Sequence, residues 1–122
     1  MGRSIAARAI SPRETVLVEW LLDHAAVRDV TTYRTKPVSV LQVVGRCECG
    51  CASVDFQADV SGPSEMLSDA LAVYPDKTKS GLILWGRNGE IQSLEIYEMD
   101  HVADRLPEIA DLCRWEDMSR MT

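Results

Sequence analysis

Residues 82–97 read Leu-Ile-Leu-Trp-Gly-Arg-Asn-Gly-Glu-Ile-Gln-Ser-Leu-Glu-Ile-Tyr, two apolar runs on either side of an Asn-Gly pair. Asn88 and Gly89 both tolerate a positive φ, so they suit the two-residue turn that joins antiparallel strands. Alternation continues after the turn, where residues 91–98 give both faces of a strand some apolar side chains. The stretch therefore predicts a β-hairpin, and with it an antiparallel sheet.

The clearest helix start is the sequence Ser-Pro-Arg-Glu at residues 11–14. Ser11 can cap the helix, and Pro12 suits the first helical position. Glu14 stands three residues after the cap, as a capping box requires. Apolar residues then recur at helical spacing, which predicts an amphipathic helix over about residues 11–25.

Other segments of the chain predict shorter elements. Residues 38–44 are rich in valine, and residues 51–58 alternate between polar and apolar, so both segments predict strands. Residues 67–74 suit a strand or a short helix, and we favour the strand. Residues 107–115 predict a short C-terminal helix.

Together these segments predict an α+β fold. We expect an antiparallel meander sheet of four to five strands, with the N-terminal helix packed on one face and the short C-terminal helix at an edge. Residues 11–122 are expected to form a single domain, after a loose N-terminal tail over residues 1–10. No apolar run approaches the roughly 20 residues that span a bilayer, so we expect a cytoplasmic protein.

Three of the four cysteines stand on alternate residues, Cys47, Cys49 and Cys51. A three-residue turn would place Cys47 opposite Cys51, at a separation that suits a disulfide. The cluster can bind zinc, exchange electrons or only fill the turn. Structural zinc usually takes cysteine pairs two to four residues apart, and reactive thiols usually lie at a helix N-terminus. We therefore expect no cofactor and keep zinc as the alternative.

The net charge of −6 comes from the second half of the chain. Residues 1–61 carry seven lysines and arginines against seven acids, whereas residues 62–122 carry six against twelve. Such a field repels nucleic acid and anionic membranes and attracts basic partners. The charge therefore favours a basic protein partner.

The sequence carries no Gly-rich phosphate loop, Walker pattern or His-Glu-x-x-His motif. Asp100-His101 resembles an orienting pair, yet no nucleophile can be matched to it. We therefore expect a protein that is not an enzyme. Large aromatic side chains usually lie in the core, as we expect for Trp20 and Trp85. Trp115 stands among charged residues, which favours an exposed anchor in an interface.

Residues 46–56 read Arg-Cys-Glu-Cys-Gly-Cys-Ala-Ser-Val-Asp-Phe, and the predicted hairpin follows. This combination resembles a group of small uncharacterised bacterial proteins that carry a Cys-x-Cys-Gly-Cys hairpin before a ladder of strands. The resemblance covers residues 40–110 and implies a similar fold and a bacterial setting, without an activity. In size and charge the chain is also similar to immunity proteins of bacterial toxin systems. That similarity implies docking to a basic toxin.

The expected function is that of a bacterial protein-binding module, an immunity protein or antitoxin in the most specific form, which docks a basic partner through an acidic surface. The residues expected to contact the partner are Glu95, Glu98, Asp100, Asp104, Asp111 and Trp115. The alternative is a small zinc-binding or thiol-active domain that uses Cys47, Cys49 and Cys51. Either function is compatible with a monomer or a homodimer, since an open sheet leaves edges that can pair.

Overall fold

Seven antiparallel strands form one sheet in the computed structural model, which describes residues 2–25, 30–47, 52–57, 63–99 and 106–115. The strands are β1 (Gly2–Ala9), β2 (Gln42–Cys47), β3 (Val54–Asp55), β4 (Glu65–Val73), β5 (Lys79–Arg87), β6 (Glu90–Glu98) and β7 (Leu112–Cys113). Their order across the sheet is β1-β2-β3-β6-β5-β4-β7. Helix α1 (Pro12–Asp23) follows β1, and 3₁₀ turns cover Val30–Arg34, Val38–Val40 and Ile109–Asp111. The predicted combination of an antiparallel sheet with an N-terminal helix is confirmed.

The N-terminus of α1 has the predicted capping box. Ser11 Oγ accepts a hydrogen bond from the backbone N–H of Glu14 at 3.1 Å, and Glu14 Oε1 accepts one from the backbone N–H of Ser11 at 2.8 Å. Pro12 occupies the first turn, where a missing N–H costs nothing. The helix therefore begins where the sequence predicts and ends at Asp23.

The Asn-Gly hairpin is also confirmed. Asn88 has a φ of 55° and Gly89 a φ of 75°, so both residues adopt the left-handed backbone that a type I′ turn requires. This turn joins β5 to β6, and β5 pairs with β4 on its other side. The segment for which a strand was favoured over a helix, residues 67–74, lies almost entirely in β4.

Helix α1 covers one face of the sheet and packs against β4. Ala70 and Ala72 leave room there for the helix, because their side chains are small. The core joins Leu17, Val18, Leu21 and Leu22 of α1 to Val54, Ala70, Ala72, Leu82, Leu84, Leu94 and Ile96 of the sheet. Burial of each leucine contributes roughly 1.5–3 kcal/mol, so this face provides much of the stability of the fold.

Three expectations, one about the N-terminus and two about the sheet, were wrong. Residues 1–10 are not a loose tail, because β1 pairs with β2 from Gly2 opposite Cys47 to Ala9 opposite Gln42. Arg8 of β1 also donates two hydrogen bonds to Glu14, at 3.0 and 2.9 Å, which ties this strand to α1. With β1 and β7 at its two edges, the sheet is larger than the expected four or five strands. It is also not a simple meander, since β3 lies beside β6.

The expected C-terminal helix over residues 107–115 was wrong as well. The segment instead forms the 3₁₀ turn Ile109–Asp111 and the short strand β7. Nine residues are too few for a helix that stands on its own propensity. Pairing with Ala72 of β4 buries Leu112, so the contact with the sheet edge decides the conformation.

Candidate functional site

The central strands present a second face, opposite the one that α1 covers. Successive side chains of a strand point to opposite faces, so the residues that alternate with the core share this side. We use the name outer face for eight residues on this side: Asp55, Met66, Asp69, Ile83, Trp85, Ser93, Glu95 and Tyr97. The fully buried Leu71 and the two basic residues of β5, Lys79 and Arg87, lie on the same side but nearer the strand ends. Of the eight residues of the outer face, Met66 is 47% exposed and Asp69 is exposed, and the other six side chains are half-buried. The outer face therefore offers carboxylates, aromatic rings and aliphatic groups together.

Strand register arranges these residues in rows. Ile83 of β5 lies between Asp69 of β4 and Glu95 of β6. The next row contains Met66, Trp85, Ser93 and Asp55, in that order across β4, β5, β6 and β3. Cross-strand neighbours lie about 5 Å apart, so acidic and apolar side chains are close neighbours across all four strands.

Glu95 is held in place by a tryptophan. The indole Nε1–H of Trp85 donates a hydrogen bond to Glu95 Oε1 at 2.8 Å. Both side chains are half-buried on the outer face. The indole is a neutral donor, so this contact gives Glu95 no cationic partner.

Tyr97 fills the space above a glycine on the neighbouring strand. A Cβ atom at Gly81, its cross-strand partner, would lie only 2.0 Å from Tyr97 Cζ, so the tyrosine ring rests directly on the β5 backbone. Burial raises the pKa of Tyr97, and the negative charges of Asp69 and Glu95 raise it further. Both carboxylates share the outer face with the phenol, Glu95 on the same strand and Asp69 on β4.

Asp55 extends the acidic character of this face to β3. Burial raises the pKa of its carboxyl group above its ordinary value.

The basic residues of β5 lie away from the middle of this face. Lys79 and Arg87 lie at the two ends of β5 on the same side of the sheet, since they alternate with Ile83 and Trp85. The negative charge of the outer face is therefore concentrated at its centre.

Two β-bulges fix which residues share this face. Met66 pairs with Trp85 and Ser68 with Leu84, so Leu67 is an extra residue on β4. On the other side of β5, Trp85 pairs with Ser93 but Gly86 with Ile91, so Gln92 is an extra residue on β6. Leu67 and Gln92 are both buried. Bulges commonly redirect a side chain at a functional position.

The residues predicted to contact a partner are only partly brought together. Glu95 lies at the centre of the outer face, and the backbone of Glu98 ends β6 opposite Ser80. Asp111 belongs to the last 3₁₀ turn, where its Oδ2 accepts a hydrogen bond from the backbone N–H of Glu108 at 3.0 Å. Asp100 and Asp104 lie outside the described residues.

Trp115 differs from the expected exposed anchor. Its side chain is half-buried, and its Nε1 atom is buried without a hydrogen-bond partner among the described residues. The residue follows β7, which pairs with β4 through Cys113 and Leu71. Trp20 and Trp85, expected in the core, are half-buried too; Trp20 packs against the core and stacks on His24 with ring centroids 3.8 Å apart.

The cysteine cluster lies largely outside the described residues. Cys49 and Cys51 fall in the undescribed segment, and only the backbone of Cys47 is described, at the end of β2. The described pairs of β2 and β3 are Gly45 with Asp55 and Arg46 with Val54. A pairing of Cys47 with Cys51 needs a register shifted by two residues from this one. The zinc or thiol site therefore stays a prediction.

The rest of the described structure adds three observations. Cys113 is a half-buried thiol on β7. Among the described residues, no group of three or more histidine, cysteine, aspartate or glutamate side chains is arranged to hold a metal ion. No helix in the same part of the chain is long and apolar enough to cross a membrane.

Comparison with known proteins adds no relative. No family model, curated protein or solved structure matches this chain.

Of the outer face, sequence reasoning singled out only Glu95 as a contact residue; the acidic and aromatic residues that it missed are Asp55, Asp69, Trp85 and Tyr97. Asp55 and Tyr97 were visible in the alternation of their strands, but nothing in the alternation showed which strands lie beside each other in the sheet. Trp85 was assigned to the core because large aromatic residues usually lie there. Pairing of β4 with β5 brings Asp69 to the site, and this depends on contacts distant in sequence.

Proposed function

We propose that this chain is a non-enzymatic bacterial protein-binding module whose outer face docks a basic protein partner. The observation that carries the proposal is the row of Asp69, Ile83 and Glu95 beside Trp85 and Tyr97. Interfaces are enriched in tryptophan, tyrosine and methionine, and their centres combine such side chains with a few polar groups. The outer face has this composition.

Charge supports a basic partner over a neutral one. Asp55, Asp69 and Glu95 place three carboxylates on the outer face, and the chain as a whole carries a net charge of −6. Complementary charge speeds the encounter of two proteins and selects against partners of like charge. A basic toxin, neutralised in the cytoplasm by this chain as its immunity protein, is the partner class that we propose.

The experiment compares three baits in a pull-down from the bacterium that encodes the chain, with captured proteins identified by mass spectrometry. The baits are the wild type, the double variant Asp69→Lys/Glu95→Lys and the control Glu19→Lys. Glu19 is exposed on α1, which covers the opposite face of the sheet. We expect a protein of high isoelectric point on the wild type and the control, and its loss on the double variant.

Salt dependence provides a second measurement on the same complex. The association rate of the captured protein should fall as salt rises, because steering by charge is screened. The proposal is wrong if the double variant captures the same partner as the wild type, if the partner carries no excess of positive charge, or if none is captured. An association rate that does not depend on salt would also contradict it.

A further inference from the structure

Ile83 forms the floor of a small site at the centre of the outer face. Its two lateral neighbours are carboxylates, Asp69 on β4 and Glu95 on β6. Strands in a sheet are spaced about 4.8 Å apart, so the backbones that carry these two acids lie about 10 Å apart. The two carboxylates therefore flank the isoleucine side chain from both sides.

Aromatic rings bound the same floor along the strand direction. Trp85 lies two residues beyond Ile83 on β5, and Tyr97 rests on Gly81, two residues before it. Each is thus separated from Ile83 by about 7 Å along the strand. Ile83, Asp69, Glu95, Trp85 and Tyr97, which we call the Ile83 site, form an apolar floor with two acidic and two aromatic sides.

No described lysine or arginine forms an ion pair with either acid of the Ile83 site. Within the part of the chain that the structure describes, the ion pairs use Glu14, Asp23, Glu90 and Glu108, and none joins a lysine or arginine to Asp69 or Glu95. The hydrogen bond from Trp85 to Glu95 Oε1 orients the carboxylate and engages one of its two oxygens. Glu95 Oε2 and both oxygens of Asp69 are therefore suited to receive a donor from a partner.

We propose that the Ile83 site binds a single arginine side chain of the basic partner, an inference that rests on the proposed function. Guanidinium is planar and stacks on aromatic rings, and its donors point to several sides at once. It can therefore donate towards Asp69 and Glu95 together while its flat face contacts Ile83 or a ring. A lysine ammonium is a compact and strongly hydrated charge, so it matches this arrangement less well.

The test uses three short peptides and nuclear magnetic resonance. The probes are acetyl-Gly-Arg-Gly-amide, its lysine counterpart and its citrulline counterpart, which is nearly isosteric with arginine but neutral. The indole N–H resonance of Trp85, assigned with the variant Trp85→Phe, reports on the Ile83 site. Titration runs to about 20 mM peptide, where a site with a Kd of about 1 mM is saturated.

We expect the arginine peptide to shift the Trp85 indole resonance with a Kd near 1 mM. The lysine peptide should bind at least about three-fold more weakly, and the citrulline peptide should cause no saturable shift. The variant Glu95→Gln should raise the Kd about ten-fold and Asp69→Asn about three-fold, because the half-buried acid is less screened than the exposed one. Glu19→Gln, on the opposite face, should leave the Kd unchanged.

Four results would overturn the proposal: no saturable shift with the arginine peptide, equal binding of the citrulline peptide, tighter binding of the lysine peptide, or an unchanged Kd in Glu95→Gln. The pull-down separates this failure from failure of the proposed function. If Asp69→Lys/Glu95→Lys loses the basic partner while the arginine peptide does not bind, the outer face docks a partner but the Ile83 site does not take an arginine. If neither result appears, both proposals fail.

Discussion

Glu14 and Glu95 are carboxylates held in opposite ways. Glu14 is only 4% exposed, and it accepts hydrogen bonds from both terminal nitrogens of Arg8 and from the backbone of Ser11. Glu95 is half-buried and accepts one hydrogen bond, from the neutral indole of Trp85. The first arrangement compensates the charge within the fold, whereas the second orients a charge without compensating it. Under the proposed function, Glu14 serves stability and Glu95 serves binding.

The largest expected effect is the difference in stability between Glu14→Ala and Glu95→Ala. Glu14→Ala removes the carboxylate half of the capping box and leaves the Arg8 guanidinium without its ion-pair partner, so we expect it to lower the free energy of unfolding by about 2–3 kcal/mol. Glu95→Ala should cost less than about 1 kcal/mol, because Trp85 is half-buried and water can reach its N–H. Urea denaturation measures both values.

Glu19→Ala is the matched control for this comparison. It removes a carboxylate from the exposed side of the same helix and should change stability by no more than about 0.5 kcal/mol. Equal costs for Glu14→Ala and Glu95→Ala would show that the two acids do not divide the roles as proposed.

A smaller effect is expected in the acid range. Burial alone would raise the pKa of Glu14, but the hydrogen bonds from Arg8 and Ser11 outweigh it and hold this pKa below its ordinary value. Stability from a lowered pKa is present above the ordinary value and is lost as the pH falls through the folded value. The wild type should therefore lose more stability than Glu14→Gln between about pH 5 and pH 2. Parallel pH profiles of the two proteins in urea denaturation would contradict this.

The smallest effect is expected at Asp55, and it has the opposite sign. Burial raises the pKa of Asp55, so the charged form opposes folding and its cost appears as the pH rises through the folded value. Asp55→Asn should raise the Tm by about 2 °C at pH 7. The gain should vanish at acidic pH, where Asp55 is protonated in both the folded and unfolded states. A variant that is less stable at pH 7 would show that Asp55 serves the fold rather than the site.

Local signals account for the parts of the structure that were predicted well. The Ser11 cap and the Asn88-Gly89 turn depend on residues within four positions of each other, so short-range chemistry was enough to locate them. The expected loose tail and the expected C-terminal helix were wrong because both segments pair with distant strands. Gly2–Ala9 pairs with β2, and Leu112–Cys113 pairs with β4.

The sequence by itself determined the cap, the hairpin and the alternation that makes Glu95 and Tyr97 neighbours on one side of a strand. It did not determine which residues of β5 lie opposite Glu95 and Tyr97, and therefore share a face with them. With the Asn88-Gly89 turn alone, Arg87 lies opposite Glu90, and an unbroken register would then place Ile83 opposite Leu94. The extra residue Gln92 shifts the pairing by one, so Ile83 lies opposite Glu95.

Only the tertiary structure decided that shift, because a one-residue change of register moves every side chain of a strand to the other face. Leu94 and Ile96 can then join the core beneath α1, where burial of apolar surface outweighs the cost of a bulge. The acids and aromatic rings are left together on the outer face as a consequence. The candidate site therefore depends on how the sheet packs against the helix, a contact between residues far apart in the sequence.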